Sequence, residues 1–352
     1  MEFAAGGRLE VRIDASDVGK RVSVRSFAEP AYAGAKFTDT VGILTSWDED
    51  GLLITRRSGE RVRIAAEALV AGKTVPAAPA RRRGPAASFE ELARAGARSW
   101  QPVESETLGG WTLRAAAGEA DAEGRRTGFT RRANSVLPLG EPGLPLDTAL
   151  EHVVRWYGER GLPAYAQIAT GAEGTQEVLG AALADRGWVP EVSARVLTGA
   201  LAPLADREAG GVRLARTTGP LWLGLYNRSG ARPAPEAVAV LESGPSTWFA
   251  TVHGTSDEAT AEEGGGAPLA IGRCVVDGRW AGFSAVEVSP GHRRRGLATR
   301  VMAALAERAL TEGASAAWLQ VESDNAGALA LYERLGFSTH HHYQHYRFGA
   351  AG

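Results

Sequence analysis

Cysteine is almost absent from this 352-residue chain, which contains Cys274 and no other. A single thiol forms no disulfide within the chain and cannot build a zinc site from several thiolates. Because such a chain suits a reducing compartment, we expect a cytoplasmic protein. Cys274 lies in a stretch typical of a strand, where we expect a small buried apolar residue.

Strong charge of one sign and long apolar runs are also missing. The formal net charge is -2, from 39 basic and 41 acidic residues, so the whole molecule is not a polycation suited to nucleic acid. No window approaches the roughly 18 apolar residues of a membrane span, and the start of the sequence lacks the pattern of a secretion signal. We therefore expect a soluble protein without a membrane partner, and the length predicts two or three domains.

The first 76 residues read as short strands separated by turns. The tetrapeptides DEDG and RSGE are hairpin signals between alternating apolar runs. Residues 1–76 are thus predicted to form a small all-β barrel, which resembles the Src-homology-3-like folds. Residues 77–88 are rich in Ala, Pro and Arg and predict a linker.

After the linker, the sequence repeats one pattern of helix, strand and helix. It occurs first as LDTALEHVVRWYGERG, AYAQIAT and TQEVLGAALADRGW, and again as LATRVMAALAERALTEG, AAWLQVES and AGALALYERLGF. The repeat predicts two related halves, residues 89–205 and 211–352. Each helical segment reaches a glycine, the expected left-handed C-cap.

The second half has its densest positive charge at the start of a predicted helix, in SPGHRRRGLATR. The first amides of a helix are unpaired and the helix dipole is positive there, so this end binds anions. Gly296 lets the backbone approach a ligand and Ala298 leaves the turn uncrowded. Arg293, Arg294 and Arg295 suit several negative charges, which predicts a pyrophosphate site. From the turn alone, a helix start with solvated arginines is an equal alternative.

The turn resembles the acyl-CoA loop of the GNAT acetyltransferase superfamily, whose pattern is Arg/Gln-x-x-Gly-x-Gly/Ala. Arg293, Gly296 and Ala298 match that pattern. A second element of the family follows at Asn325, Ala328, Tyr332, Gly336 and Phe337. The order of small barrel, degenerate half and complete half is also similar to a group of actinobacterial GNAT proteins. The resemblance implies an α+β fold, with tandem GNAT-like mixed β-sheets flanked by helices after a small all-β barrel.

The resemblance further implies an acyl-CoA-dependent N-acyltransferase with acetyl-CoA as acyl-donor co-substrate and no metal. The acceptor would be a primary amine that attacks the thioester directly in a ternary complex. The implied cofactor-binding residues are Val286, Val288, Arg293, Arg294, Arg295, Gly296, Leu297, Ala298, Thr299, Asn325 and Tyr332. In the family, pantetheine lies between two splayed strands and the amides of the turn hold the pyrophosphate.

The catalytic residues implied are Tyr332, Glu287 and Glu322. Tyr332 would be the general acid, since a phenol can protonate the departing thiolate; LALYERL taken alone would indicate a core aromatic. An amine with a pKa of about 10.4 must lose a proton before attack, so Glu287 and Glu322 are the candidate bases. Alternation puts Glu287 on the opposite face from Val286 and Val288 unless a bulge intervenes.

The tail THHHYQHYRF contains four histidines, at positions 340, 341, 342 and 345. Adjacent residues of a strand point to opposite faces, so at most two or three imidazoles converge. We therefore expect a C-terminal strand with one face lining the acceptor pocket, and not a metal site.

A non-catalytic hypothesis stays open: an acyl-CoA-sensing or binding protein whose barrel engages a protein or nucleic-acid partner. Tyr332 and Asn325 favour the enzyme. The barrel mixes acids with bases and has few aromatics, so nucleic acid is not the expected partner. The sequence leaves the amine acceptor open, and we expect a monomer or a homodimer.

Overall fold

The computed structural model describes residues 10–27, 37–76, 84–123, 125–226, 233–254 and 267–349. Of the predicted linker, residues 77–83 lie outside these ranges. No helix in the described ranges is long and apolar enough to cross a membrane.

Five antiparallel strands form a separate sheet near the N-terminus. They are β1 (Arg21–Phe27), β2 (Phe37–Asp48), β3 (Gly51–Thr55), β4 (Arg61–Ala65) and β5 (Leu69–Thr74), in the spatial order β4-β3-β2-β1-β5. Ile64 of β4 and Leu69 of β5 come from opposite edges of this order, yet both pack with Val22, Val24 and Ile54 in one core. The sheet therefore wraps around that core and forms the expected small β-barrel.

The next part of the chain contains four helices and seven strands. They are α1 (Phe89–Ser99), β6 (Glu104–Leu108), β7 (Trp111–Ala115), β8 (Ala117–Ala120), β9 (Arg126–Gly128), β10 (Leu137–Pro138), α2 (Leu146–Gly158), β11 (Tyr165–Thr170), α3 (Glu177–Ala184), β12 (Trp188–Ala200) and α4 (Ala202–Ala205). Helix α1 begins after Ser88, whose Oγ accepts a hydrogen bond of 3.1 Å from the amide of Glu91. This is a side-chain N-cap, which satisfies one of the unpaired amides.

The remaining elements repeat the helix-strand-helix pattern. They are β13 (Val212–Ala215), α5 (Pro220–Leu225), α6 (Pro235–Glu242), β14 (Ser246–His253), β15 (Pro268–Asp277), β16 (Trp280–Val288), α7 (Leu297–Thr311), β17 (Ala316–Glu322), α8 (Ala326–Arg334) and β18 (Ser338–Phe348). The predicted glycine stops all have positive φ: 65° at Gly161, 79° at Gly187, 93° at Gly313 and 91° at Gly336. Glycine adopts this conformation without the steric cost of a Cβ atom.

One eight-stranded mixed sheet joins the two repeats, in the order β11-β18-β12-β17-β16-β15-β14-β13. The last strand, β18, lies between β11 and β12, and β12 in turn pairs with β17. Each repeat therefore completes the sheet of the other. The fold is the expected α+β arrangement of tandem GNAT-like sheets with helices on both sides.

Strands β16 and β17 run parallel and then separate. They pair from Trp280–Ala316 to Phe283–Leu319 and no further. Beyond this point β16 pairs with β15 alone, with a bulge between the partners Arg273–Ser284 and Ile271–Glu287. Ala285 lies in the bulge with φ of 51°, a conformation that is costly for a residue with a Cβ atom. The bulge bends β16 away and opens the gap beside β17.

Arg57 of the barrel forms hydrogen bonds with the large sheet. Arg57 Nη2 donates to the backbone oxygens of Thr339, at 3.1 Å, and His340, at 2.8 Å. The hydroxyl of Thr170 donates to the backbone oxygen of Arg57 at 3.0 Å. Side-chain to backbone hydrogen bonds thus join the barrel to strands β18 and β11.

Candidate functional site

A cavity of about 350 Å³ opens where β16 and β17 separate. One wall comes from residues 282–287 of β16, Trp318 and residues 320–322 of β17, the N-cap residue Asn325, and Ala328 and Tyr332 of α8. The remaining lining residues, called the second wall below, are Ser99, Trp100, Arg132, Tyr226 and Arg273. A wider surface depression of about 580 Å³ lies beside Arg126, Gly161 and Arg347. That depression includes none of the predicted site residues, so the cavity between the strands is the candidate site.

Five of the predicted site residues line this cavity together: Val286, Glu287, Glu322, Asn325 and Tyr332. They come from two strands and a helix. Val288 and the predicted phosphate turn, residues 293–299, are not among the lining residues and follow directly at the end of β16.

The bulge decides which way Glu287 faces. Residues opposite each other in an antiparallel pair share a face, so Glu287 shares the face of Ile271, which packs with Trp100 and Tyr226. Val286 packs on the other face with Gly272, against the core under α7. Because of the extra residue, Ser284 and Glu287 lie on one face, whereas strict alternation would separate them.

The turn before α7 presents backbone amides to open space. Gly296 is the N-cap of α7 with φ of 79°, and no side chain caps the helix. Within the described part of the chain, the amides of residues 294–299 donate no hydrogen bond. A Cβ atom on Gly296 would meet nothing within 4 Å. Leu297 is 7% exposed and packs in the core, so it anchors the turn.

The three arginines of the turn, Arg293, Arg294 and Arg295, are exposed. Among the described residues none of them forms an ion pair, although the Nε of Arg293 reaches the backbone oxygen of Val288 at 3.4 Å. Positive side chains and unpaired amides therefore occur together at a helix N-terminus, which is a chemical environment that binds phosphate groups.

Asn325 and Tyr332 belong to the same short helix. Oδ1 of Asn325 accepts from the amide of Ala328 at 3.0 Å, so the side-chain amide group remains to donate toward the cavity. Tyr332 is half-buried, with its ring centroid 6.0 Å from that of Phe337. Phe337 in turn contacts Phe283 of β16. This aromatic chain holds the phenol at the edge of the cavity.

Sequence reasoning missed the second wall of the cavity. Ser99 and Trp100 end α1, Tyr226 ends α5, Arg132 lies in a short turn of the first repeat and Arg273 lies in β15. These residues share no motif and are far apart along the chain. No sequence signal could have grouped them, because only the tertiary fold brings them together.

Arg273 is fully buried in that wall, and each nitrogen of its guanidinium group donates a hydrogen bond. It donates to the backbone oxygens of Leu241, Ser99 and Ser243 at 2.6, 2.6 and 2.8 Å, and to Ser284 Oγ at 3.1 Å. Burial lowers the pKa of Arg273 to about 10, so the side chain stays charged at neutral pH. Its role is to tie β15 and β16 to the end of α1.

The histidine-rich tail forms the predicted strand, β18, but the expectation that one face lines the pocket is wrong. No residue of this strand, all of which is described, lines the cavity. His341, Tyr343 and His345 are instead buried, with His341 against Phe89 and His345 against Tyr165. Burial lowers the pKa of His341 and His345 well below the usual value, so both imidazoles are neutral at pH 7. Within the described residues no three His, Cys, Asp or Glu side chains cluster as metal ligands.

Cys274 is buried in the core of the large sheet. Burial raises the pKa of its thiol to about 12, so almost none of it is thiolate at neutral pH. This sulfur therefore has neither the access nor the ionisation that a nucleophile requires.

Two family models match the chain. One described as "Probable histone acetyltransferase Rv0428c C-terminal" matches residues 86–346, and one described as "Rv0428c N-terminal Sm-like domain" matches residues 16–73. The second match describes the N-terminal barrel as Sm-like, a more specific description than the general small barrel expected from the strand pattern.

Similar proteins include acetyltransferases. The probable histone acetyltransferase Rv0428c of Mycobacterium tuberculosis is 28% identical over 331 residues, which cover 92% of this chain and 93% of that protein. The uncharacterized N-acetyltransferase YobR of Bacillus subtilis is 40% identical over 72 residues, which cover 20% of this chain and 29% of that protein.

Among solved structures, a GCN5-related N-acetyltransferase from Kribbella flavida has a TM-score of 0.51 at 17% identity, with 76% of this chain and 98% of that chain covered. A tandem GNAT protein from the clavulanic acid biosynthesis pathway has a TM-score of 0.50 at 15% identity, with 76% and 91% covered. At these identities the likeness concerns the fold.

Proposed function

The chain belongs to the family described as probable histone acetyltransferase Rv0428c, C-terminal, and we propose that it transfers the acetyl group of acetyl-CoA to a primary amine by direct attack in a ternary complex. The observation that carries this proposal is the separation of β16 from β17 beside a helix start with unpaired amides and free arginines. The pantetheine arm of acetyl-CoA is extended, contains two amides and leads to the pyrophosphate, so it fits a free strand edge next to an anion site.

The donor lies, in this proposal, along the free edge of β16. Past Phe283 the edge no longer pairs with β17, so backbone groups near Val286 and Val288 can pair with the amides of pantetheine. The pyrophosphate binds the amides of residues 294–299, with Arg293, Arg294 and Arg295 around it. The thioester then lies in the cavity between Tyr332 and Glu287.

Transfer proceeds by addition and elimination at the thioester carbonyl. A base removes one proton from the ammonium form of the acceptor, and the amine nitrogen bonds to the acetyl carbon. The carbon–sulfur bond breaks as the tetrahedral intermediate collapses, and the hydroxyl of Tyr332 protonates the departing sulfur. The attached nitrogen then gives up its excess proton, which restores the hydroxyl of Tyr332, and the base releases the first proton to solvent. The products are the N-acetylated amine and free CoA. Cys274 takes no part, because its thiol is buried and protonated.

Glu287 is the base in this proposal. It is half-buried on the cavity face created by the bulge, whereas Glu322 is exposed at the end of β17. We expect Glu287→Gln to lower kcat, measured from initial rates of CoA release, by about a hundredfold or more. Glu322→Gln, the matched variant, is expected to keep kcat near the wild-type value. If Glu322→Gln lost kcat and Glu287→Gln kept it, the assignment would be reversed.

The proposed function is tested by initial rates of CoA release with acetyl-CoA and a panel of amines. The panel includes polyamines, amino acids and lysine peptides. The lysine peptides are included because the name of the Mycobacterium relative refers to histone. Intersecting lines when both substrates are varied indicate a ternary complex, whereas parallel lines indicate a covalent acyl-enzyme.

Cys274→Ala is expected to keep the wild-type kcat, because the thiol is remote from solvent and from the reacting groups. The native thiol should also resist iodoacetamide at pH 8 and react only after unfolding. Intact-mass measurements follow both acetylation and alkylation. An acetyl adduct on Cys274 of the wild type would contradict direct transfer.

A further inference from the structure

We propose that the acceptor is an amine that also carries a carboxylate, and that Arg132 binds this carboxylate in the cavity. The inference rests on the proposed function and names its substrate class. It concerns the cavity wall for which the sequence contains no motif.

The terminal amino groups of Arg132 are available to a ligand. Its Nε donates to the hydroxyl of Tyr343 at 3.3 Å, and its guanidinium lies 5.5 Å from the ring centroid of Trp100. In the described part of the chain, its two terminal nitrogens donate no hydrogen bond. They lie on a residue that lines the cavity, so they can form the paired hydrogen bonds that a guanidinium makes with a carboxylate.

The contrast with Arg273 separates a structural arginine from a binding one. Arg273 lies 4.5 Å from the same Trp100 ring and donates through all of its nitrogens to protein oxygens. Trp100 thus lies near two guanidinium groups. Every nitrogen of Arg273 donates to a protein oxygen, whereas in the described part of the chain the terminal nitrogens of Arg132 donate to none. A second cation at this point adds repulsion that an anionic ligand would relieve.

The first repeat holds Arg132 in place. It lies in the turn Arg131–Ala133, and the next residue, Asn134, fixes this turn from within. Oδ1 of Asn134 accepts from the amide of Ala116 at 2.8 Å, and Nδ2 donates to the backbone oxygens of Phe129, at 2.9 Å, and Thr130, at 3.1 Å. A rigid support of this kind is typical of a binding group. The degenerate repeat therefore contributes acceptor recognition.

The charges of the cavity match the two ends of an amino acid. Glu287 and Glu322 lie on the strands that receive the thioester, and Arg132 lines the same cavity beside Trp100. Burial opposes the charged form of Arg132, yet nearby tyrosine hydroxyls and the carboxylate of Glu322 raise its pKa overall. An ammonium group fits beside the carboxylates and a carboxylate fits beside the arginine. A cavity of about 350 Å³ is of the size that binds a small molecule.

The test compares amines that differ only by the carboxylate: L-phenylalanine with 2-phenylethylamine, and L-lysine with cadaverine. Wild-type kcat/KM is expected to be higher for the amino acids. Arg132→Met should lower kcat/KM for the amino acids by about tenfold to a hundredfold, mainly through KM, because a charged hydrogen-bond partner is lost. Arg132→Lys should recover part of this loss. In a separate measurement, kcat/KM for aspartyl-alanine amide shows whether the side-chain carboxylate of a peptide can replace that of a free amino acid.

The matched control is Arg131→Met. Arg131 is adjacent in sequence but pairs with Glu191 at 2.8 Å near the surface, so this variant removes the same charge outside the cavity. It should leave the preference for amino acids unchanged. Calorimetric titration of acetyl-CoA into each variant checks that donor binding is intact.

The outcomes separate this inference from the function on which it rests. If cadaverine and 2-phenylethylamine are acetylated as well as the amino acids, and Arg132→Met changes neither, the protein is an N-acetyltransferase and the carboxylate inference is wrong. If no amine is acetylated although acetyl-CoA binds, the proposed function fails and the inference fails with it.

Discussion

Replacing Gly296 by glutamate is expected to abolish acetyl-CoA binding, with a loss in affinity of about a hundredfold or more. The side chain would enter the open space in front of the unpaired amides of residues 294–299 and bring a negative charge to the place of the pyrophosphate. Each charge-assisted hydrogen bond to an anion contributes about 1.5–3 kcal/mol, so blocking two of them accounts for this loss. Calorimetric titration of acetyl-CoA into wild type and variant measures it.

Gly313→Glu is the matched control for this variant. Gly313 follows the other end of α7 with φ of 93°, and a Cβ atom there also meets nothing within 4 Å. Both variants therefore carry the backbone strain of a residue with a side chain in the left-handed region. Gly313→Glu should lower the melting temperature to a similar extent and keep acetyl-CoA binding. Equal loss of binding in both would mean that strain, and not the blocked anion site, is responsible.

Tyr332→Phe is expected to lower kcat by about a hundredfold to a thousandfold while acetyl-CoA affinity stays within about twofold of wild type. Removing one hydroxyl keeps the ring that packs on Phe337, so the position of α8 is preserved. The departing thiolate then lacks its proton donor. Initial rates of CoA release give kcat, and calorimetry gives the affinity.

Tyr346→Phe controls for the loss of a tyrosine hydroxyl elsewhere. Tyr346 is buried in β18, in the core of the first repeat, and does not line the cavity. Its variant should keep the wild-type kcat. A Tyr332→Phe enzyme with unchanged kcat would remove the phenol from the mechanism and leave water as the proton donor.

Much of the candidate donor site could be predicted because its features are local. The turn before α7 depends on a glycine with positive φ and on amides that any helix start leaves unpaired, and both follow from a few adjacent residues. The same holds for the glycines that follow the predicted helices and for the hairpins of the barrel. Each of these features depends on a few residues that are adjacent in the sequence.

Strand alternation correctly put Glu287 on the face opposite Val286 and Val288, but it could not show that Ser284 shares the face of Glu287. The bulge at Ala285 inserts a residue into β16 opposite β15, and its left-handed conformation falls on alanine, where the sequence contains no glycine to indicate it. A bulge depends on the partner strand and on the packing of both faces, which one strand's own pattern does not reveal.

The sequence by itself determined the local features of this protein: a helix start with unpaired amides and three arginines, a following Asn325 and Tyr332, a small β-barrel and a repeated helix-strand-helix unit. Only the tertiary structure decided that β18 lies between β11 and β12, that part of the tail is buried, and that Trp100, Arg132 and Arg273 line the cavity beside the splayed strands. The physical reason is the range of the interactions. Dihedral preferences and unpaired amides act between neighbours in sequence, whereas the second wall is assembled from segments whose positions depend on long-range strand pairing and on the packing of a shared core.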